Sequence, residues 1–231
     1  MIKKGITERE LYNRIMSLLD ANLDVMDPKL VKFIMQNWRE YAKVDVLFEV
    51  YDEVNALDEN ANVYAGFFKL LKQKFDINQD IIEIGGGMFP NLSRRIAKEQ
   101  KVGNVTVYDP NLILRKYSPG NLILRNEAFK KDTPIGNTKL LVGMSPCHSI
   151  DLILERASAE DLDFMIKVCQ CEIENSLPFY DDHIIRATFN NYLRRKNSEF
   201  QASGGPGFNV AYLEAKYDDP TPIIYTKKRP M

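Results

Sequence analysis

The chain has 231 residues, of which 45% are hydrophobic and 27% are charged, and this composition excludes a largely disordered protein. The length suffices for one full domain with a smaller appendage. The formal net charge of −1 supplies no global positive field, so the composition does not indicate a dedicated nucleic-acid binder.

Apolar runs and cysteine content together predict a cytoplasmic protein without a membrane partner. The runs "DIIEIG" and "KLLVGM" are interrupted well short of the span that a bilayer requires, and "MIKKGITERE" carries no apolar signal segment. Cys147, Cys169 and Cys171 form an odd, sparse set. Such a set does not indicate a disulfide framework and fits a reducing compartment.

Residues 1–75 have the pattern of consecutive helices. Thr7 and Glu10 can form a capping box at one helix start, and "NVYAGFFKLLKQKF" is amphipathic. We therefore predict an N-terminal helical cap over 1–75. Tyr64 and Phe68 of the last helix would either line an acceptor site or fill a core.

Residues 76–231 change to short apolar strands that alternate with helices, which predicts a parallel sheet covered by helices in one domain. The predicted strands are "DIIEIG", "NVTVYD", "NLILRN", "KLLVGM", "DFMIKVC", "FNVAYLEAKY" and "TPIIYTKK". The last two are joined without a helix. We therefore expect them to pair as a hairpin, which makes the sheet mixed.

Three consecutive glycines, Gly85 to Gly87, follow the first strand of this domain. Bare backbone at that point allows a ligand to approach the chain and the N-H groups of the next helix. A dinucleotide fingerprint needs a third spaced glycine, and Pro90 stands in its place. The segment therefore disfavours a nicotinamide-dependent oxidoreductase.

The same segment resembles motif I of class I S-adenosylmethionine-dependent methyltransferases, an acid-x-Gly-x-Gly pattern filled by Glu83, Gly85 and Gly87. Later landmarks of that family follow in order. Asp109 ends the second strand, where the family places an acid on the ribose hydroxyls, and "NEAF" after the third strand matches the family's acid-Ala segment beside the adenine. The terminal hairpin matches its sixth and seventh strands.

The resemblance implies an α/β fold: a mixed seven-stranded Rossmann-like methyltransferase sheet with helices on both faces and the N-terminal helical cap. It also implies S-adenosylmethionine as the cofactor. The residues it implies for cofactor binding are Glu83, Gly85, Gly86, Gly87, Asp109, Pro110, Glu127, Ala128, Phe129 and Met144.

The acceptor would lie over the end of the fourth strand, "VGMSPCHS", which lacks the Asn/Asp-Pro-Pro-aromatic motif of amino-directed enzymes. RNA cytosine-C5 methyltransferases carry a Pro-Cys pair after strand four and a second cysteine after strand five, and Pro146-Cys147 and Cys169 resemble these, although Met144 replaces the acid of that motif. "PCHSIDLILERA" with "KVCQCE" is similar to a group that includes a tRNA 2′-O-methyltransferase. These likenesses leave the substrate open.

Candidate catalytic residues are Cys147 and Cys169 as nucleophile and helper, and His148 as general base. The alternatives are that the cysteines are small core residues, or that they form a zinc site with His148, Cys171 and His183; we predict no metal.

We predict a methyltransferase acting on a small molecule, with RNA as the second acceptor class. The alternative is a catalytically inactive binding or scaffold protein that keeps the fold.

Overall fold

The computed structural model describes residues 63–87, 90–112, 120–169, 182–213 and 221–227, with the backbone alone described at 182–186. The predictions for the helices before residue 63 lie outside the described residues, as do those for Cys171 and the His183 side chain.

The described residues form four helices and seven strands. In chain order these are α1 (Val63–Lys74), β1 (Ile81–Ile84), α2 (Asn91–Glu99), β2 (Val105–Tyr108), β3 (Leu122–Arg125), β4 (Leu140–Met144), α3 (Ile150–Ala159), β5 (Asp163–Lys167), α4 (Asp182–Ala202), β6 (Phe208–Ala211) and β7 (Ile223–Thr226). Among the helices of these ranges, none has the length and apolar character needed to cross a bilayer.

The seven strands form one mixed sheet in the order β3-β2-β1-β4-β5-β7-β6. Strands β1 to β5 pair in parallel, whereas β7 lies antiparallel between β5 and β6. The predicted α/β fold with a mixed seven-stranded sheet is therefore confirmed, including the antiparallel pairing of the two terminal strands.

Both faces of the sheet are covered, because alternate residues along the central strands point to opposite sides. One core contains Ile82, Ile84, Leu141, Phe164 and Ile166 of the strands, with α3 and α4 packed on them. The other contains Ile81, Leu140, Val142, Met165 and Ile223, with α1 and α2 packed on them. The predicted arrangement of helices on both faces is confirmed.

Helix α1 packs directly on the second of these cores. Phe67 and Leu71 are fully buried there, and Phe68 is 6% exposed. Tyr64 is partly buried against the same core. Of the two roles open for Tyr64 and Phe68, core filling is therefore the one that their packing supports. The division of the chain after residue 75 stays a prediction.

Candidate functional site

Strands β1, β2 and β3 follow one another toward one edge of the sheet, and the chain then crosses back to place β4 on the other side of β1. The sheet therefore has its topological switch point between β1 and β4. In an open parallel sheet, the crevice at the carboxyl ends of such strands is the expected ligand site. The turn after β1 contacts the turn after β4 there: a Cβ built on Gly85 would lie 3.0 Å from Pro146 Cα. The glycine segment therefore lies at this switch point.

The three glycines differ in what excludes a side chain. Gly85 has a φ of +75° and lies against Pro146. A Cβ on Gly86 would lie 2.5 Å from Val107 Cγ1, so β2 packs directly on its backbone. Gly87 has a φ of +68°, but a Cβ there would meet nothing within 4 Å. Gly85 and Gly86 thus shape the turn, while Gly87 leaves open space above it.

Asp109, directly after β2, connects the second strand to the glycine turn. Its Oδ2 accepts a hydrogen bond from Gly87 N at 2.9 Å, and its Oδ1 accepts one from Asn111 N at 2.7 Å. The side chain is 8% exposed. Each carboxylate oxygen carries two lone pairs, so Asp109 can accept two further hydrogen bonds while it holds the turn.

Glu83 lies below the turn, on the face of the sheet that α2 covers. Its Oε2 accepts hydrogen bonds from both the backbone N-H, at 3.0 Å, and the hydroxyl of Ser93 in the first turn of α2. Burial raises the pKa of Glu83 to about 7, opposed by the two Ser93 hydrogen bonds and helped by the nearby charge of Asp109. Glu83 therefore fixes the start of α2 against the glycine turn.

The segment after β3 places one predicted cofactor residue in the core and two at the surface. Phe129 is 6% exposed and packs edge to face on Tyr108, with ring centroids 5.6 Å apart. Glu127 and Ala128 are exposed, and so is Pro110 after β2. Met144, the last residue of β4, is partly buried against the core under α1 and α2.

The turn after β4 has an unusual backbone. Ser145 and His148 have φ values of 59° and 61°, although neither is glycine. Cys147 N donates to Ser145 O at 2.8 Å around Pro146, and Ser149 N donates to Pro146 O at 2.9 Å. Left-handed conformations at such residues cost about 1–3 kcal/mol each and concentrate at functional sites. His148 is exposed in this turn, directly before α3.

The two predicted cysteines of the described ranges meet at the ends of neighbouring strands. Cys147 Sγ lies 3.1 Å from Cys169 Sγ, and both residues are thiols. Lys167 Nζ, at the end of β5, lies 3.4 Å from Ser145 Oγ of the same turn. Within the described ranges, no group of three His, Cys, Asp or Glu side chains is arranged to hold a metal ion.

Three residues of this region did not emerge as functional candidates from the sequence: Ser93, Arg156 and Lys167. The sequence indicated Pro146 only as the neighbour of Cys147, and not as the packing partner of Gly85. Arg156 donates to the carbonyls of Lys130, Lys131 and Thr133 and so holds the segment that follows Phe129. A lysine at the end of an apolar strand was the available signal for Lys167. The other contacts depend on which strands are neighbours.

The strand order β3-β2-β1-β4-β5-β7-β6 with its antiparallel β7 is the arrangement of the class I S-adenosylmethionine-dependent methyltransferase fold, so the chain has the fold that its sequence predicts.

Searches against known proteins returned similarities of fold. No protein-family model and no curated protein matches the chain. The matching solved structures include fibrillarin in a complex with Nop5p, with a TM-score of 0.45 and 16% identity over 72% of this chain and 84% of that one. They also include LaPhzM, with a TM-score of 0.43 and 14% identity over 96% and 71% of the two chains.

A third matching structure is CalO1, described as a methyltransferase in calicheamicin biosynthesis in an SAH-bound form. It has a TM-score of 0.43 and 11% identity over 94% of this chain and 69% of that one.

Proposed function

We propose that the chain is an S-adenosylmethionine-dependent methyltransferase. The observation that carries the proposal is the contact between Gly87 N and Asp109 Oδ2, at 2.9 Å, under open space at the switch point of the sheet. This contact brings a bare backbone and a carboxylate to the same side of one crevice. The carboxylate can accept hydrogen bonds from a diol, and the bare backbone leaves room for a chain that lies against the glycines. A ligand with both parts therefore matches this crevice.

The residues present fit the cofactor in three respects. Asp109 keeps hydrogen-bonding capacity on both oxygens, which suits the two ribose hydroxyls. The open side of Gly87 offers room for the methionine end, and Phe129, packed in the core, would support the segment that we propose to border the adenine. When bound, the cofactor supplies an electrophilic methyl group on a sulfonium.

The protein's own task is then to hold the acceptor in line with that group and to exclude water. The strained turn after β4 is the proposed acceptor side, because it lies at the switch point next to Gly85 through Pro146. His148 is our proposed general base, needed only for an acceptor that loses a proton. Cys147 and Cys169 would border the same side.

We propose a small molecule as the acceptor and RNA as the second class. The net charge of −1 supports this order, because RNA-binding surfaces are rich in positive charge. Transfer of labelled methyl groups to a metabolite extract and to total RNA separates the two classes. If the chain binds the cofactor but transfers label to neither fraction, the result would favour the alternative of a catalytically inactive binding protein.

Cofactor binding is tested by calorimetric titration of the whole chain with S-adenosylmethionine and, in parallel, with NAD. We expect binding of the first alone. Gly87→Val should weaken it at least about tenfold, because the new side chain fills the open space and strains the backbone.

Gly136→Val is the matched control. Gly136 has a φ of +61° and equally open space, but it precedes β4 and so lies toward the amino-terminal edge of the sheet. The Gly136→Val variant should lose about as much stability as Gly87→Val and should keep the native affinity for S-adenosylmethionine. Absence of S-adenosylmethionine binding, or equal affinity of the Gly87→Val variant, would refute the cofactor assignment.

A further inference from the structure

Cys147 and Cys169 form a pair of neighbouring thiols at the carboxyl edge of the sheet. Their sulfur atoms are 3.1 Å apart, closer than two sulfurs in ordinary van der Waals contact, although the residues are separated by 22 positions in the chain. Cys147 is exposed and Cys169 is partly exposed. Small reagents therefore have access to the pair from solvent.

The backbone explains why these two sulfurs meet. Met144 and Lys167 are paired at the ends of the parallel strands β4 and β5, and Ser145 N donates to Lys167 O at 3.0 Å beyond the last pair. Each cysteine follows two or three residues after its strand. The turn around Pro146, closed by the hydrogen bond from Cys147 N to Ser145 O, directs Cys147 back toward β5.

We propose that Cys147 and Cys169 are a redox modification site that forms a reversible intramolecular disulfide. The oxidant is a low-molecular-weight disulfide of the glutathione type. The thiolate of one cysteine attacks a sulfur of that reagent and forms a mixed disulfide, and one thiolate leaves. The second cysteine then attacks the protein sulfur of the mixed disulfide, and a second small thiol leaves. Two protein thiols are oxidised and one reagent disulfide is reduced to two thiols.

The geometry favours the second, intramolecular step. The sulfurs need to approach by only about 1 Å to reach the bond length of about 2.05 Å. The attacking thiol is held beside its target, so this step proceeds at a high effective concentration. Cys147, the more exposed of the two, is the thiol that meets the reagent first.

The disulfide would join the turn after β4 to the segment after β5. The bond would add a covalent link between the turn at Ser145 to His148 and the residues next to Lys167, which hydrogen bonds from Ser145 N and Lys167 Nζ join in the reduced chain. Oxidation would therefore act on the β4 and β5 side of the crevice, whereas Gly87 and Asp109 belong to the β1 and β2 side.

The test uses the whole folded chain, equilibrated in buffers with an increasing proportion of oxidised to reduced glutathione. After acid quenching and alkylation, intact mass should show a species that carries two alkyl groups fewer than the reduced chain, whose share rises with oxidised glutathione and falls again when dithiothreitol is added before quenching. Peptide mapping should place the cross-link between Cys147 and Cys169. Absence of this species across the series, or a cross-link through Cys171, overturns the proposal.

Single variants provide matched controls. Cys171→Ser should form the same intramolecular species as the native chain. Cys169→Ser should lose it and accumulate a glutathione adduct on Cys147, since the resolving thiol is absent, and Cys147→Ser should lose it as well. Formation of an intramolecular disulfide by Cys147→Ser would also overturn the proposal. None of these readouts involves cofactor or methyl transfer, so they are independent of the proposed function.

Discussion

At the scale of single residues, Asp109 and Gly87 show how backbone hydrogen bonds position a carboxylate at the crevice that we propose as the cofactor site. The carboxylate is nine-tenths buried, yet both of its oxygens already hold backbone N-H groups, from Gly87 and Asn111. These two bonds fix the side chain in one position before any ligand arrives. A prepositioned acceptor loses little conformational entropy on binding, which favours affinity.

Replacement of Asp109 by Asn should weaken cofactor binding strongly. The amide keeps the shape but loses the negative charge and half of the acceptor capacity, so one backbone N-H faces an amide donor. Hydrogen bonds to charged groups contribute about 1.5–3 kcal/mol each, so the dissociation constant should rise about 10- to 100-fold or more. Calorimetric titration of S-adenosylmethionine measures it.

Glu99→Gln is the charge-matched control for this variant, because Glu99 is an exposed partner of Lys72 at the end of α2. Its affinity should equal that of the native chain. Unchanged affinity in Asp109→Asn, with native-like urea unfolding, would remove Asp109 from the cofactor site.

Glu83 should make stability depend on pH. Its folded-state pKa is about 7, against 4.5 for the free group, because it is buried. Between these values the folded chain keeps a proton that the unfolded chain has released, so the free energy of unfolding falls as the pH rises through this window and is level above it. The difference between the two limits is about 3 kcal/mol.

Glu83→Gln removes this titration and keeps an oxygen that can accept from Ser93. Urea unfolding at several pH values from 5 to 8 measures the effect. The native chain should lose stability relative to the variant as the pH rises from 5 to 7. If the native chain and the variant differed in free energy of unfolding by the same amount at every pH, Glu83 would not carry a shifted pKa.

At the scale of elements, Arg156 of α3 joins the helix to the segment after β3. Its guanidinium donates to three backbone carbonyls, including those of Lys130 at 3.0 Å and Thr133 at 2.8 Å, and it lies 5.5 Å from the centre of the Phe129 ring. It also pairs with Glu160 one helical turn later. A single buried side chain thus determines the position of the segment proposed to face the adenine.

Arg156→Lys should destabilise the protein by about 2–4 kcal/mol, because one ammonium cannot reproduce the planar fork and leaves buried carbonyls without donors. Cofactor affinity should fall as well, since Phe129 loses its support. Arg195→Lys is the control: its 3.7 Å pair with Glu199 is exposed, and the change should stay within about 0.5 kcal/mol. Equal stability of both variants in urea would contradict the role of Arg156 in holding the segment after β3.

The sequence predicted the elements of the sheet and its glycine turn well, because these depend on local patterns. The seven apolar runs each formed a strand, and the absence of a helix before β7 predicted its antiparallel pairing. The turn after β4 could not be predicted in this way. Its left-handed residues are Ser145 and His148, and neither side chain signals that conformation as glycine would.

Contacts between distant segments were equally beyond local patterns. Ser93 gave no signal as the partner of Glu83, because that pairing requires α2 to lie across β1. The Cys147–Cys169 contact likewise depends on the register of β4 against β5, which places two strand ends side by side. The chemistry-bearing residues were identifiable by type, whereas their partners were determined by topology.

At the scale of the whole molecule, the packing of α1 on the sheet decides whether this helix unfolds separately. Phe67 is fully buried with Ile81 of β1 in one core, so Phe67→Ala should destabilise the protein by about 3–5 kcal/mol. Because that core spans β1, β4, β5 and β7, hydrogen exchange should accelerate in β1 as well as in α1. Gln73→Ala, on the exposed side of α1, is the control and should change neither the free energy of unfolding nor the rates of hydrogen exchange. Faster exchange of α1 alone would instead identify it as part of a separable helical cap.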